Sequence, residues 1–196
     1  PQVFRDGAFS ADPHPGNVLV ACAPAERGGC APVLLDWGWV VRLAARTLGA
    51  YRALVVALAD MDVGAASRAL HDAGYRNSQD ARVPERSVEF FEHLLRDTGD
   101  RARAAAESKA FRDRRQKQKE ADEAAGTREK AGRVMSQVPD SFFFLLRVFG
   151  LLRGTCAELG VSIPLIESRA LHARCGLLDD AAAAAREPRT AAAPVQ

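Results

Sequence analysis

Ala11-Asp12-Pro13-His14-Pro15-Gly16-Asn17, preceded by Phe9-Ser10 and followed by Asp36-Trp37-Gly38, is the stretch whose reading decides the fold. Two prolines and a glycine between Asp12 and Asn17 exclude a helix and a regular strand, so 11–17 is a loop with a largely preset backbone. Short β-branched runs follow at Val18–Val20 and Val33–Leu35, with turn-forming residues from Ala21 to Pro32 between them, and a third run lies at Trp39–Val41. These runs predict a hairpin that brings Asn17 and Asp36 together. Asp12, Asn17 and Asp36 would then offer three oxygen-bearing side chains on two adjacent loops. A plainer reading makes the two aspartates turn formers and Asn17 a residue that tolerates a left-handed backbone.

Almost everything beyond residue 41 reads as helix. From Leu43 to Ala59, Leu48, Tyr51, Val55 and Leu58 fall at helical spacing and form one apolar stripe. Asp62 is a candidate N-cap for a helix running to about Ala73 and closed by Gly74. Pro84 opens a further segment with Val88, Phe91, Leu94 and Leu95 on one face. The composition changes over 97–133, where basic and acidic residues interleave around a single aromatic, Phe111. That pattern predicts a long exposed helix or a partly disordered insertion acting as a solvated spacer, with no sustained apolar heptad for a coiled coil. Asp140 or Ser141 begins the most apolar helix, which ends at Gly160 and is expected to be buried all round. A short helix follows Pro164. The expected organisation is a core over 1–96, a charged insertion or linker over 97–133, C-terminal helices of the same body over 134–179, and a disordered tail over 180–196.

The chain has 196 residues, 47% of them hydrophobic, which is enough for a core and excludes a mainly disordered protein. With 27 Lys plus Arg against 25 Asp plus Glu, the net charge gives no reason to expect a nucleic-acid partner. The interleaved acids and missing aromatics of 97–133 argue the same way. The longest apolar run, Phe142 to Leu152, is interrupted by Arg147 and Gly150 and falls short of a membrane span. Cys22, Cys30, Cys156 and Cys175 show no metal-ligand spacing with the histidines and are expected as free thiols. His71, His93 and His172 are expected in solvated or capping roles, and Trp39 in the core. The chain opens on Pro1 without a signal sequence, which suggests a piece of a longer protein.

Asp12 and Asn17 also have the D-x-x-x-x-N spacing of a protein-kinase catalytic loop, and Asp36-Trp37-Gly38 stands where such enzymes carry Asp-Phe-Gly. Phosphoryl transfer needs a carboxylate aimed at the acceptor and oxygen ligands for the metal ions that neutralise phosphate charge. The Pro-His-Pro-Gly insert within the loop is more specific. Phe9 to Asn17 resembles, almost letter for letter, the catalytic loop of the UbiB-like, or aarF-domain (ADCK), atypical kinases. The stretch Val138 to Gly154, with Arg147-Val148 and Leu152-Arg153-Gly154, is similar to that family's C-terminal helical region.

The resemblance implies an α+β, mainly α fold: the C-terminal (large) lobe of a protein-kinase-like fold, with a short N-terminal β-hairpin and a following helical bundle. It implies Asp12 as the catalytic residue, His14, Gly16, Asn17, Asp36 and Gly38 as cofactor-binding, and Asn17 and Asp36 as metal ligands, with ATP and Mg2+ as cofactors. It further implies a lipid or isoprenoid-quinone-related small molecule as partner, and a mitochondrial, plastid or bacterial cytoplasmic setting. The chain departs from the family at Ser10, where His is common, at Trp37 in place of Phe, and in a longer loop between Val20 and Val33. A hairpin pairing Cys22 with Cys30 would allow a disulfide instead of free thiols. The phosphate-covering loop, the phosphate-holding Lys with its Glu, and the Lys-x-Gly-Gln helix are expected in an upstream lobe, so 1–196 alone is expected to be inactive. The alternatives are a catalytically silent, pseudokinase-like scaffold whose apolar helix meets a lipid, a membrane surface or a partner helix, and a purely structural helical protein.

Overall fold

Proline and glycine punctuation near the N-terminus yields short strands, and the apolar periodicity beyond it yields helices. The computed structural model describes residues 2–22, 29–77, 84–95, 101–126 and 135–186. A π-helical turn at Gln2–Asp6, where only strand and loop were expected, precedes β1 (Ala8–Ser10). A 3-10 turn at Pro15–Asn17 leads into β2 (Val18–Cys22), which pairs antiparallel with β3 (Cys30–Leu34). β4 (Val40–Arg42) then returns to pair antiparallel with β1. The β2–β3 hairpin is thus nested inside the β1–β4 pair.

The helices are α1 (Ala45–Ala59), α2 (Val63–Asp72), α3 (Pro84–Leu95), α4 (Arg101–Ala124), α5 (Asp140–Glu158) and α6 (Leu165–Arg186). A small ladder of β5 (Arg76–Asn77) with β6 (Met135–Gln137) lies between them, unannounced by the sequence pattern. Asp62 caps α2 as expected, accepting the Ala65 N–H at 2.8 Å. Gly74, at φ +91°, ends it: its N–H donates to His71 O and that of Tyr75 to Leu70 O, the paired bonds of a Schellman close.

The core is an aromatic relay between helices. Tyr75 meets Phe91 of α3 edge-on, Phe91 meets Phe142 of α5, and Phe142 meets Tyr51 of α1, with centroids 4.9–5.6 Å apart. Such edge-to-face pairs add about 0.5–1.5 kcal/mol each beyond area burial. Burial raises the pKa of the Tyr51 hydroxyl, whose oxygen lies 3.0 Å from Ser141 Oγ. Arg52 is buried as well, at 2% exposure, which the stripe on α1 did not announce. Its guanidinium donates to Phe4 O and Arg5 O and pairs with Asp180 of α6.

Several expectations are corrected. Residues 180–186 continue α6 instead of starting a disordered tail, because Asp180 is fixed by Arg52; 187–196 lie outside the described residues. Within 97–133, α4 is the long and largely exposed helix expected, but it is docked and is not a free spacer. Phe111 is buried beside Phe90 and stacks on His93 at 3.9 Å, while Arg86 grips Asp122 with two bonds of 2.6 and 2.9 Å. His93 is therefore a packing residue. α5 is buried on one face only, through Phe142, Leu145, Val148 and Phe149, and leaves Phe143 57% exposed. Trp39 is 52% exposed, resting edge-on against Phe144 at 5.0 Å instead of entering the core. Cys22 and Cys30 form a disulfide, since the hairpin register sets them opposite each other with Cα atoms 4.1 Å apart; Cys156 and Cys175 are free. Among the described residues no helix is long and apolar enough to cross a membrane.

Two outcomes test this packing. A methyl group on Gly176 of α6 would lie 2.5 Å from Arg52 Nε and Cζ and from Phe4 O. Ala normally stabilises a helix interior by about 1 kcal/mol over Gly. Here Gly176→Ala is expected to destabilise by about 1–3 kcal/mol through overpacking in a urea titration; a rise in stability would refute the contact. Arg86 holds the Asp122 carboxyl below its ordinary range, through the hydrogen bond first and then charge. The pair therefore helps hold α4 at any pH above about 4, the ordinary carboxylate value, and is lost as acidification passes the lower folded value. Asp122→Asn should lower the protection of α4 amides against hydrogen exchange at neutral pH, and acidification should lower the same protection, measured relative to an unstructured chain at each pH, in the unaltered protein.

Candidate functional site

The nested ladders build the site. The β1–β4 register runs out at Ser10 opposite Val40, extended by one bond from Ala11 N to Trp39 O at 2.9 Å. The β2–β3 register begins at Val18 opposite Leu34, preceded by a bond from Leu35 N to Asn17 O at 2.9 Å. Between these two backbone bridges lie residues 12–16 on one strand and 36–38 on the other. The two chemistry-bearing loops are thus opposed halves of one interruption in a continuous antiparallel ribbon, with Asp12 and Asn17 on one side and Asp36 on the facing side, joined by the hairpin that the β-branched runs predict.

Each loop is braced by its own side chains. The Asp12 N–H donates to Ser10 Oγ at 3.4 Å, and Asn17 Nδ2 donates to the Asp12 carbonyl at 3.4 Å. His14 Nδ1 accepts the Gly16 N–H at 3.0 Å and caps the 3-10 turn, and the Asn17 N–H returns to His14 O at 2.8 Å. Asp36 Oδ1 accepts the Gly38 N–H at 2.6 Å, a tight Asx-type turn. The glycines make room for these folded-back side chains: a Cβ on Gly16 would lie 3.1 Å from His14 Nδ1, and one on Gly38 3.0 Å from Asp36 Oδ1. His14, Gly16 and Gly38 thus shape the loops that Asp12, Asn17 and Asp36 occupy.

One participant, Arg147, carries no site role in the sequence reading, where it interrupts an apolar run and forms part of the Arg147-Val148 resemblance. Arg147 of α5 reaches Asp12, with Nη2 3.0 Å from Oδ1. The available signals are a single cation inside the apolar run Phe142–Leu152 and the Arg147-Val148 pair in the stretch that resembles the family's helical region. Arg147 is 52% and Asp12 43% exposed at the side chain, so the pair contributes at most about 1 kcal/mol to stability. Stability alone is a weak reason for it.

The donor set bears on which ion would suit the site. Among the described residues no group of three or more His, Cys, Asp or Glu side chains could hold a metal ion. Asn17 and Asp36 instead supply one carboxamide and one carboxylate, hard oxygen donors of the kind that bind magnesium jointly with substrate phosphates. The residues fit that ion as part of a nucleotide complex. Exposed apolar side chains flank the loops along the ribbon, namely Leu19, Val33, Leu35 and Trp37.

No solved structure matches this chain. In keeping with the motif resemblance, residues 1–70, which carry the nested ladders, both loops and α1, match the family model of the ABC1 atypical kinase-like domain.

Proposed function

We propose that this chain is the C-terminal, large-lobe part of an atypical kinase or ATPase of the UbiB-like, aarF-domain kind, using Mg-ATP for phosphoryl transfer or ATP hydrolysis. The observation that carries the reading is the interrupted ribbon, which sets Asp12, Asn17 and Asp36 on facing loops within the segment similar to kinase-like domains. Asp12 takes the role of the residue that orients the attacking hydroxyl or water and accepts its proton at a carboxylate oxygen. Asn17 and Asp36 take the role of magnesium ligands, Asp36 through the oxygen not engaged by the Gly38 N–H. When bound, magnesium neutralises charge on the phosphate oxygens as the phosphoryl group moves. His14, Gly16 and Gly38 keep the two loops open to a nucleotide.

The upstream small lobe of the parent protein is assigned as the partner that covers the nucleotide, so residues 1–196 alone are expected to turn nothing over. The exposed apolar side chains beside the loops suit a lipid or isoprenoid-quinone-related acceptor better than a charged peptide. The catalytically silent scaffold is the alternative, and the same experiment decides between them.

In the full-length parent protein, Asp36→Ala is expected to abolish magnesium-dependent nucleotide binding. Asp12→Asn should leave binding in place and lower ATP hydrolysis by about 10²–10⁴-fold, the usual contribution of a general base. Calorimetric nucleotide titration and phosphate release measure the two. An intact protein that binds no nucleotide with magnesium would overturn the enzyme reading and leave the scaffold.

A further inference from the structure

The backbone of Asp12 is fixed within its own loop: Ser10 Oγ accepts its N–H and Asn17 Nδ2 donates to its carbonyl. Its carboxylate is not. From Ala11 to Asn17 the loop contains no Lys or Arg, His14 Nδ1 is taken up by the Gly16 N–H, and Asn17 Nδ2 donates to the Asp12 main chain. A half-exposed aspartate in this position would distribute over its rotamers. Among the described residues the only side chain on its carboxylate is Arg147, which lies 135 positions further along the chain.

The distance from α5 to the loop is itself held. Ala11, next to Asp12, donates its N–H to Trp39 O. The Trp39 ring leans edge-on against Phe144 at 5.0 Å, and Phe144 stands three residues before Arg147, on the same side of α5. Asp12, Ala11, Trp39, Phe144 and Arg147 close a ring of contacts, and behind it Phe142, Leu145, Val148 and Phe149 are buried in the core. This closure also accounts for a half-exposed tryptophan immediately after Asp36-Trp37-Gly38.

We propose that Arg147 is the positioning residue for Asp12, fixing the direction of a carboxylate that its own loop leaves free to turn. The role rests on the reading of Asp12 as the residue acting on the acceptor, and Arg147 acts through Asp12 without touching substrate. The guanidinium engages one carboxylate oxygen, so the other stays open toward the acceptor.

The test uses the full-length protein and Arg147→Gln, Arg147→Lys and Asp12→Asn, alone and with Arg147→Gln and Asp12→Asn combined, following kcat and KM for Mg-ATP and the melting temperature. Arg147→Gln should lower kcat about ten- to a hundredfold while KM stays within about twofold, with melting unchanged. Arg147→Lys should recover part of the loss. In the Asp12→Asn background Arg147→Gln should cost nothing more, since both act through one carboxylate. A kcat that survives Arg147→Gln, a kcat that rises, or a full additional loss on top of Asp12→Asn would each overturn the proposal; the last would make Arg147 a direct substrate contact. A loss tracked by the melting temperature and not recovered by Lys would overturn it in favour of a purely structural role. A full-length protein without magnesium-dependent turnover overturns the functional reading and this inference together, whereas turnover indifferent to Arg147 removes this inference alone.

Discussion

A buried guanidinium anchors the two ends of the described chain to each other. Arg52 is taken almost entirely out of water, which is tolerated only because its donors meet Phe4 O, Arg5 O and the Asp180 carboxylate. These bonds fix the first helical turn to α1 and α6, and β1 leaves that turn two residues later. The position of the ribbon is therefore inherited from a charge inside the helical body. Gly176 is part of the same arrangement, because any side chain there would stand where Arg52 stands.

The second constraint runs through rings. Tyr75, Phe91, Phe142 and Tyr51 join α1, α3 and α5 edge to face, and Trp39 against Phe144 passes that rigidity outward to the loops. A site on loops is mobile unless a packed scaffold holds it. Here the loops are pinned by backbone bridges at both ends and by α5 on one side.

Local signals were legible where they were strong. Asp62 and Gly74 marked the ends of α2, Pro84 the start of α3, and the alternation of β-branched runs with turn residues gave the hairpin that brings Asn17 and Asp36 together. What the sequence hid was long-range. Nothing local distinguishes the buried Arg52 from the exposed arginines, because its partners lie at residues 4, 5 and 180. Arg147 read as an interruption of an apolar helix and as half of the Arg147-Val148 resemblance, and its contact stayed hidden because its partner is at residue 12. Trp39 read as core on hydrophobicity, yet its ring packs at the rim. Pairing of Cys22 with Cys30 depended on a register that a turn-rich loop leaves open. The charged composition of α4 masked the docking face carried by Phe111, since a single aromatic among so many charges is too sparse to make a periodicity.

The separation between Asp12 and Arg147 also has a meaning in time. At about 5–20 residues per second of synthesis, roughly 7–27 seconds pass between the emergence of the loop and that of an arginine 135 positions further along. During that interval the hairpin can close locally while the Asp12 carboxylate still lacks its partner. The nascent polypeptide thus carries the ingredients of its chemistry early and acquires their final alignment late, so that completion of the site reports that α5 has been made and docked.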